Sequence, residues 1–189
     1  MKLRFLGAAA AALVALAIGC GGSPTAPTSS NFRVMLTDTP FGDAKAVLIT
    51  FSDVGVHASG GGWTTIPFGG GATSRTCDLK QLQTAQDVLG VATLPAGHYT
   101  QARVTVTRVA LYFDYPATAG PCAPTLAAPS GRSVSVNVPS GQLILNREFD
   151  VTSGNTASMV LDFNGDKSII QTGNGTYQIS PVITVVSVQ

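Results

Sequence analysis

The sequence predicts an all-β fold, an antiparallel β-sandwich of about eight strands with at most one short helix. From Phe32 onward, apolar residues recur with a period of two, which is the spacing of strands that bury one face. Glycine-rich turns separate these runs, and almost no segment has the spacing of an amphipathic helix. We therefore expect one sandwich domain over residues 31–189.

The first predicted strands are the alternating runs at Phe32–Leu36 and Val47–Phe51. In the long run 102–115 the apolar positions change phase near Arg108, which predicts a bulge or a crossing between sheets. Residues 77–90 carry leucines at helical spacing and predict either a short helix or a loop. Five further strands are predicted at 133–138, 143–151, 157–163, 168–171 and 177–188.

The stretch Pro95–Tyr99 predicts a turn that feeds the strand at Ala102. Its tyrosine can bury the ring while the hydroxyl bonds back to the turn backbone, as in a tyrosine corner. His98 is interpreted as a polar rim residue, because neither a second histidine nor a serine elbow supports a catalytic role.

The composition is poor in charge, with 11% charged against 44% hydrophobic residues. Disordered segments have the opposite balance, so a folded domain is expected. Without residues 1–19, nine basic and ten acidic side chains remain, a net charge of −1. No Lys/Arg cluster is present to form a phosphate-binding patch, so nucleic acid is excluded as a partner.

Residues 1–19 have the pattern of a signal peptide, with Lys2 and Arg4 before the apolar stretch 5–18. Fourteen apolar residues reach about 21 Å as a helix, less than the roughly 30 Å of a bilayer core. The tetrad Ala17–Cys20 resembles the lipobox of bacterial lipoproteins, which implies a Cys20 carrying palmitate-like acyl chains as the mature N-terminus. The alternative is an ordinary signal peptide cleaved nearby.

Residues 20–30 have no apolar period and predict a flexible tether between lipid and domain. Gly21 follows the cysteine, where an aspartate would resemble an inner-membrane retention signal. The predicted location is therefore the cell envelope, lipid-anchored at the outer membrane, on its periplasmic or surface face.

With Cys20 assigned to lipid, Cys77 and Cys122 remain as a pair in an exported, oxidising compartment. We predict that they form a disulfide, which in the chain-entropy model stabilises the fold by about 4 kcal/mol. The alternative is a pair of free buried thiols.

Three stretches resemble a bacterial lipoprotein family catalogued as domain-of-unknown-function family 4382. They are Val34–Pro40 with Asp43, Leu94–Arg103, and Leu161–Ile169 running to Ser180–Ile183. The chain departs from the family pattern at Asn164-Gly165, where Asp-Ala is usual. The resemblance implies an envelope β-sandwich similar to transthyretin-like or immunoglobulin-like modules, without an assigned activity or catalytic residues.

Asp162, Asn164 and Asp166 have the one-three-five spacing of oxygen ligands in calcium loops. Calcium is thus the one cofactor the sequence suggests. The favoured alternative is a β-hairpin, in which Asn164-Gly165 forms a type I′ turn and the carboxylates are solvated.

Asp38 and Asp43 form a second acidic cluster, interpreted mainly as a turn in which Asp38 bonds the following amides. If both loops lie at one end of the sandwich, four carboxylates meet there, and their repulsion would favour a cation.

Aromatic residues suggest a ligand site, because exposed rings offer a platform on which sugars stack. The candidates are Trp63, Tyr112 and Tyr115, with Tyr177, and the alternative is that they pack in the core and its rim.

The function predicted from sequence is a non-catalytic binding or structural module that recognises a glycan or an envelope protein through loops at the sandwich ends. The alternatives are an Asp-based hydrolase of an envelope or extracellular polysaccharide, and a structural role through a sheet edge.

Overall fold

A computed structural model of the chain describes residues 29–39 and 42–189. The predicted signal peptide and the predicted lipidation site Cys20 lie outside the described residues. No helix in this part of the chain is long and apolar enough to cross a membrane. The strands are β1 Ser29–Thr39, β2 Ala46–Ala58, β3 Trp63–Thr65, β4 Arg75–Asp78, β5 Asp87–Pro95, β6 Gly97–Tyr112, β7 Cys122–Ala123, β8 Ser133–Val136, β9 Gln142–Val151, β10 Ala157–Asn164, β11 Ile169–Gln171, β12 Tyr177–Ile179 and β13 Ile183–Val188, and the helices are α1 Leu79–Leu82 and α2 Gly165–Ser168.

The strands form a β-sandwich, as predicted. One sheet has the order β13-β10-β1-β5, and the other has the order β7-β4-β2-β6-β8 with β3 on β2 and β9 on β6. Strands β11 and β12 form a separate two-stranded ribbon. The inward residues of both sheets, such as Phe32, Phe51, Val104 and Met159, form one buried core.

Strand β1 begins at Ser29, so the predicted tether is two residues too long. Ser29 and Ser30 already pair with Pro95 and Leu94 of β5, and the Ser30 hydroxyl donates to the Thr152 carbonyl. Backbone pairing, which polar composition did not reveal, fixes these two serines in the sheet.

The predicted change of phase in β6 is confirmed as a bulge. Thr50 of β2 pairs with Arg108 and Phe51 with Val106, so Thr107 has no partner in the register. Before the bulge β6 pairs with β9, and after it β6 pairs with β8. An extra residue in one strand bends it and allows this exchange of neighbours.

The hairpin predicted at Asn164-Gly165 is wrong. Strand β10 pairs in parallel with β1 and antiparallel with β13, and β11 pairs with β12 instead of folding back onto β10. The Asn164 side chain accepts a hydrogen bond from the Lys167 backbone N–H at 2.9 Å. Asn164 therefore caps the helical turn α2, a role for which its short polar side chain is suited.

Residues 77–90 contain the predicted short helix. They also contain the start of strand β5, which the sequence pattern did not predict. Helix α1 covers four residues, and the buried Asp78 caps it by accepting from the Lys80 backbone N–H at 3.2 Å. The Asp78 carboxylate also accepts from the Val47 backbone N–H at 3.0 Å. Burial raises the pKa of Asp78 above its usual value, against these hydrogen bonds.

The sandwich has two ends that carry different residues. At the Ser29 end lie the start of β1, the 95–97 turn and the 59–62 turn between β2 and β3. At the Asp38 end, parallel pairing places the carboxyl ends of β1 and β10 side by side.

Candidate functional site

A polypeptide segment covers half of the outer face of the seven-stranded sheet. Next to the Asp38 end, outward residues form a second buried cluster beneath segment 113–132, which contributes Leu126. Its members are Ala46, Leu48, Ala110, Tyr112 and Leu126. This half of the face is closed to a large ligand.

The disulfide Cys77–Cys122 holds that segment in place, which confirms the predicted bond. The two residues are register partners of β4 and β7, with Cα atoms 4.1 Å apart. Cys122 lies in β7, the part of segment 113–132 that joins the edge of the seven-stranded sheet beside β4, and Cys77 lies in β4 on the core side. The disulfide therefore fixes the segment to the sheet.

The other half of the same outer face is open, and its side chains are mostly polar. On the Ser29 side of the β6 bulge, alternate residues of β2, β3, β6 and β9 point away from the core. Residues that are partners in the register lie on the same face of the sheet, so their side chains form one surface. They include Asp53, His57, Trp63, Gln101, Arg103, Thr105, Ile144 and Asn146. We call this surface the open half-face.

Trp63 is held on the open half-face by Arg103. The Arg103 guanidinium carbon lies 4.6 Å from the centroid of the indole, and its Nε donates to Asp53 Oδ2 at 2.6 Å. His57, the register partner of Trp63, makes an edge contact at 5.2 Å between ring centroids. These contacts fix the indole on the sheet and compensate the Arg103 charge.

Gly55 makes room for this arrangement. A Cβ at Gly55 would lie 3.1 Å from the Thr64 carbonyl oxygen, 3.5 Å from an Arg103 nitrogen and 3.6 Å from Trp63 Cε3. A Cβ would thus be crowded by the Thr64 carbonyl, while the indole and the guanidinium lie at ordinary contact distance over the glycine, as aromatic rings do over strand glycines.

A cleft of about 320 Å³ lies beside Trp63 at the Ser29 end. Its other wall is the 95–99 turn, where the Tyr99 hydroxyl donates to the Pro95 carbonyl at 2.9 Å and confirms the predicted tyrosine corner. His98 lies on the exposed rim, as predicted, with Nδ1 2.8 Å from Asp150 Oδ1. The volume is at the lower end of the range for small-ligand sites.

The structure does not bring the four predicted aromatic residues together. Trp63 pairs opposite His57 and Tyr112 opposite Ala46, eleven residues apart along β2 and so about 36 Å away. Tyr112 is buried under segment 113–132, and Tyr115 is 58% exposed. Tyr177 packs against Phe113, with ring centroids 6.2 Å apart. Only Trp63 lies on the open half-face.

The Asp38 end brings two of the four predicted carboxylates close together. Asp162 interacts electrostatically with Asp38 and accepts from the Thr39 hydroxyl at 2.9 Å. Asp43 and Asp166 are exposed. Within residues 29–39 and 42–189, no group of three or more acidic, histidine or cysteine side chains could hold a metal ion. Calcium at Asp162, Asn164 and Asp166 remains a prediction that this geometry does not favour, since Asn164 is engaged as a helix cap.

The environment of Asp38 differs from the turn that the sequence predicted. It is the last inward residue of β1, only 5% exposed. In the described part of the chain no group meets full hydrogen-bond geometry with its Oδ atoms, although the Gln83 amide and the Gly165 N–H lie close enough to interact with the carboxyl group. Burial and the neighbouring Asp162 raise its pKa from 3.8 to about 8, while the Gln83 amide, the Gly165 N–H and Lys80 offset part of this effect. Asp38 is therefore protonated at pH 7 and faces the core.

A hydrolase of the acid–base type needs two accessible carboxyl groups around a sugar. Asp38 has the raised pKa of a general acid, but its side chain is shielded from solvent. The carboxyl group with the raised pKa is thus shielded, while Asp43 and Asp166 are exposed; the hydrolase alternative stays a prediction.

Comparison with known proteins finds one family. The family model described as "Domain of unknown function (DUF4382)" matches residues 29–181. No curated protein matches, and no solved structure matches.

Proposed function

The chain belongs to the family described as domain of unknown function DUF4382, and we propose that it is a lipid-anchored envelope lipoprotein whose sandwich binds a glycan on the open half-face without catalysis. The observation that carries this proposal is the indole of Trp63, held by Arg103 on an uncovered sheet surface beside a cleft. Sugar rings present faces of C–H groups that stack on such a ring, since its π-cloud is electron-rich.

The polar side chains around Trp63 suit an uncharged sugar. Arg103 is neutralised by Asp53 at 2.6 Å, so the charge nearest the indole is compensated. Gln101 and Asn146 are hydrogen-bonded at 2.8 Å on the adjacent strands and retain further donors and acceptors for hydroxyl groups. A neutral saccharide therefore fits this surface better than an acidic one.

Anchoring at Cys20 would restrict where such a glycan lies. Eight residues lie between Cys20 and Ser29, so the nine steps from Cα to Cα reach about 30 Å when extended. The cleft beside Trp63 lies at the Ser29 end of the sandwich. An envelope glycan close to the membrane, at the outer membrane in our proposal, is the expected ligand.

The test is a glycan array probed with the full-length protein, in calcium and in chelator. We expect binding of neutral glycans in both conditions, weakened at least about tenfold, or about 1.4 kcal/mol, by Trp63→Ala. Tyr115→Ala is the matched control, because this ring is exposed outside the open half-face. Equal binding by both variants would contradict the site, and binding only with calcium would redirect attention to Asp162. A silent array together with capture of an envelope protein would favour a protein partner instead.

A further inference from the structure

The outer face of the four-stranded sheet carries an apolar band that its own chain leaves partly uncovered. Val91 of β5 is 43% exposed and Val186 of β13 is 60% exposed. Between them, Met35 of β1 pairs with Val160 of β10 and with Val88 of β5, all three partly buried. Among the outward residues of these four strands, Arg33 and Asp162 are charged, and many of the others are Ser or Thr. Depletion of charge is the compositional mark of an interface core.

We propose that this face binds a second copy of the chain, forming a symmetric dimer with the two-fold axis parallel to the strands. Such an axis, placed between β1 and β10, sets β10 over the partner's β1 and β13 over the partner's β5. Met35 then meets the partner's Val160, and Val186 meets the partner's Val88. The apolar band is therefore self-complementary, as a two-fold interface requires.

This orientation also separates like charges and keeps both N-termini together. Arg33 pairs in the register with Ser158, and Asp162 with Thr37, so across the axis each charge meets a Ser or Thr. Both copies place Ser29 at the same end, where two anchors can enter one bilayer. A perpendicular axis would place the two Ser29 ends at opposite ends of the dimer.

The area suits a weak dimer. Four strands about 4.8 Å apart, over seven residues of about 3.3 Å, give roughly 450 Å² per copy and 900 Å² in total. Stable interfaces begin near 1,000 Å², so we expect dissociation in the micromolar range. Attachment of both copies to one membrane raises their effective concentration.

The decisive variant is Val88→Cys with Val186→Cys. Within one copy these positions lie on the two edge strands, about 14 Å apart. In the proposed dimer, position 88 of each copy faces position 186 of the partner across sheets about 10 Å apart, too far for a direct disulfide. A bismaleimide crosslinker with a spacer of about that length, applied to the full-length protein in detergent, should give a covalent dimer from the double variant and none from either single variant.

Sedimentation of the full-length protein without the cysteine substitutions tests dimer formation through this face without crosslinking. We expect a concentration-dependent dimer that Val160→Asp weakens at least tenfold, and that Val91→Lys, at a more exposed position, also weakens. Ile144→Asp, on the other sheet at 52% exposure, should leave it unchanged. A monomer at 100 µM, or a dimer insensitive to both Val160→Asp and Val91→Lys, would overturn the proposal. Glycan binding uses the opposite sheet, so either proposal can fail alone.

Discussion

Replacing Asp38 by Asn should make the protein more stable at alkaline pH. Asp38 is buried, and its pKa is raised from 3.8 to about 8. Between these values the unfolded chain ionises this carboxyl while the folded chain keeps its proton, so the folded state binds more protons. The free energy of unfolding then falls as pH rises through this window, by about 1.4 kcal/mol per pH unit, and levels off above pH 8.

The full window corresponds to a loss on the order of 5 kcal/mol. Asn has nearly the shape of a neutral aspartic acid but does not ionise, so Asp38→Asn removes this loss. We expect the variant to be only about 1 kcal/mol more stable than the wild type near pH 4.5, and several kcal/mol more stable at pH 8. Asp78 also has a raised pKa, but its contribution is common to both proteins and cancels in the difference.

The assay is urea unfolding at pH 4.5, 6, 7 and 8, with the disulfide intact. Asp43→Asn, at an exposed position, is the matched control and should follow the wild-type protein at every pH. If the difference between Asp38→Asn and wild type stays constant from pH 4.5 to 8, the carboxyl is ionised in the folded state and the reasoning is refuted.

Three further changes have direct readouts. Replacing both Cys77 and Cys122 by Ala should lower the free energy of unfolding by about 4 kcal/mol and open segment 113–132 to limited proteolysis; an unchanged cleavage pattern would mean that other contacts hold the segment. Tyr99→Phe deletes the hydrogen bond to Pro95 and should lower the free energy of unfolding by about 1 kcal/mol in the same assay. An unchanged free energy would mean that packing of the ring alone stabilises the turn. Cys20→Ser should abolish labelling by radioactive palmitate, and persistent labelling would remove the lipid anchor from the proposed function.

Local sequence patterns predicted those parts of the fold that depend on neighbouring residues. The alternation at Phe32, Val34 and Leu36 reports a buried face directly, and the phase change near Arg108 reports the bulge. The tyrosine corner spans only five residues, from Pro95 to Tyr99. In each case the residues that interact lie close in sequence or on one strand.

The errors arise where distant segments meet. Asn164-Gly165 has the composition of a hairpin turn, but the parallel pairing of β10 with β1 occupies the edge that the hairpin would need. Asp38 continues the inward alternation of Phe32, Val34 and Leu36, but the Pro40 and Gly42 that follow favoured its interpretation as a turn residue. Likewise, Trp63 and Tyr112 both follow strand patterns, and only the register along β2 separates them.

The proposed glycan site and the proposed dimer interface lie on opposite sheets, so one protein can use both at once. In the proposed dimer the four-stranded sheets face each other, so the two open half-faces point away from the interface on either side. Both clefts lie at the Ser29 ends, and the two-fold axis keeps these ends together. A glycan chain long enough to reach both Trp63 residues would bind the dimer bivalently, with an avidity set by the spacing of the two sites. Binding would then depend on glycan length, and the V160D variant, which separates the copies, would lose that dependence while keeping its affinity for a short saccharide.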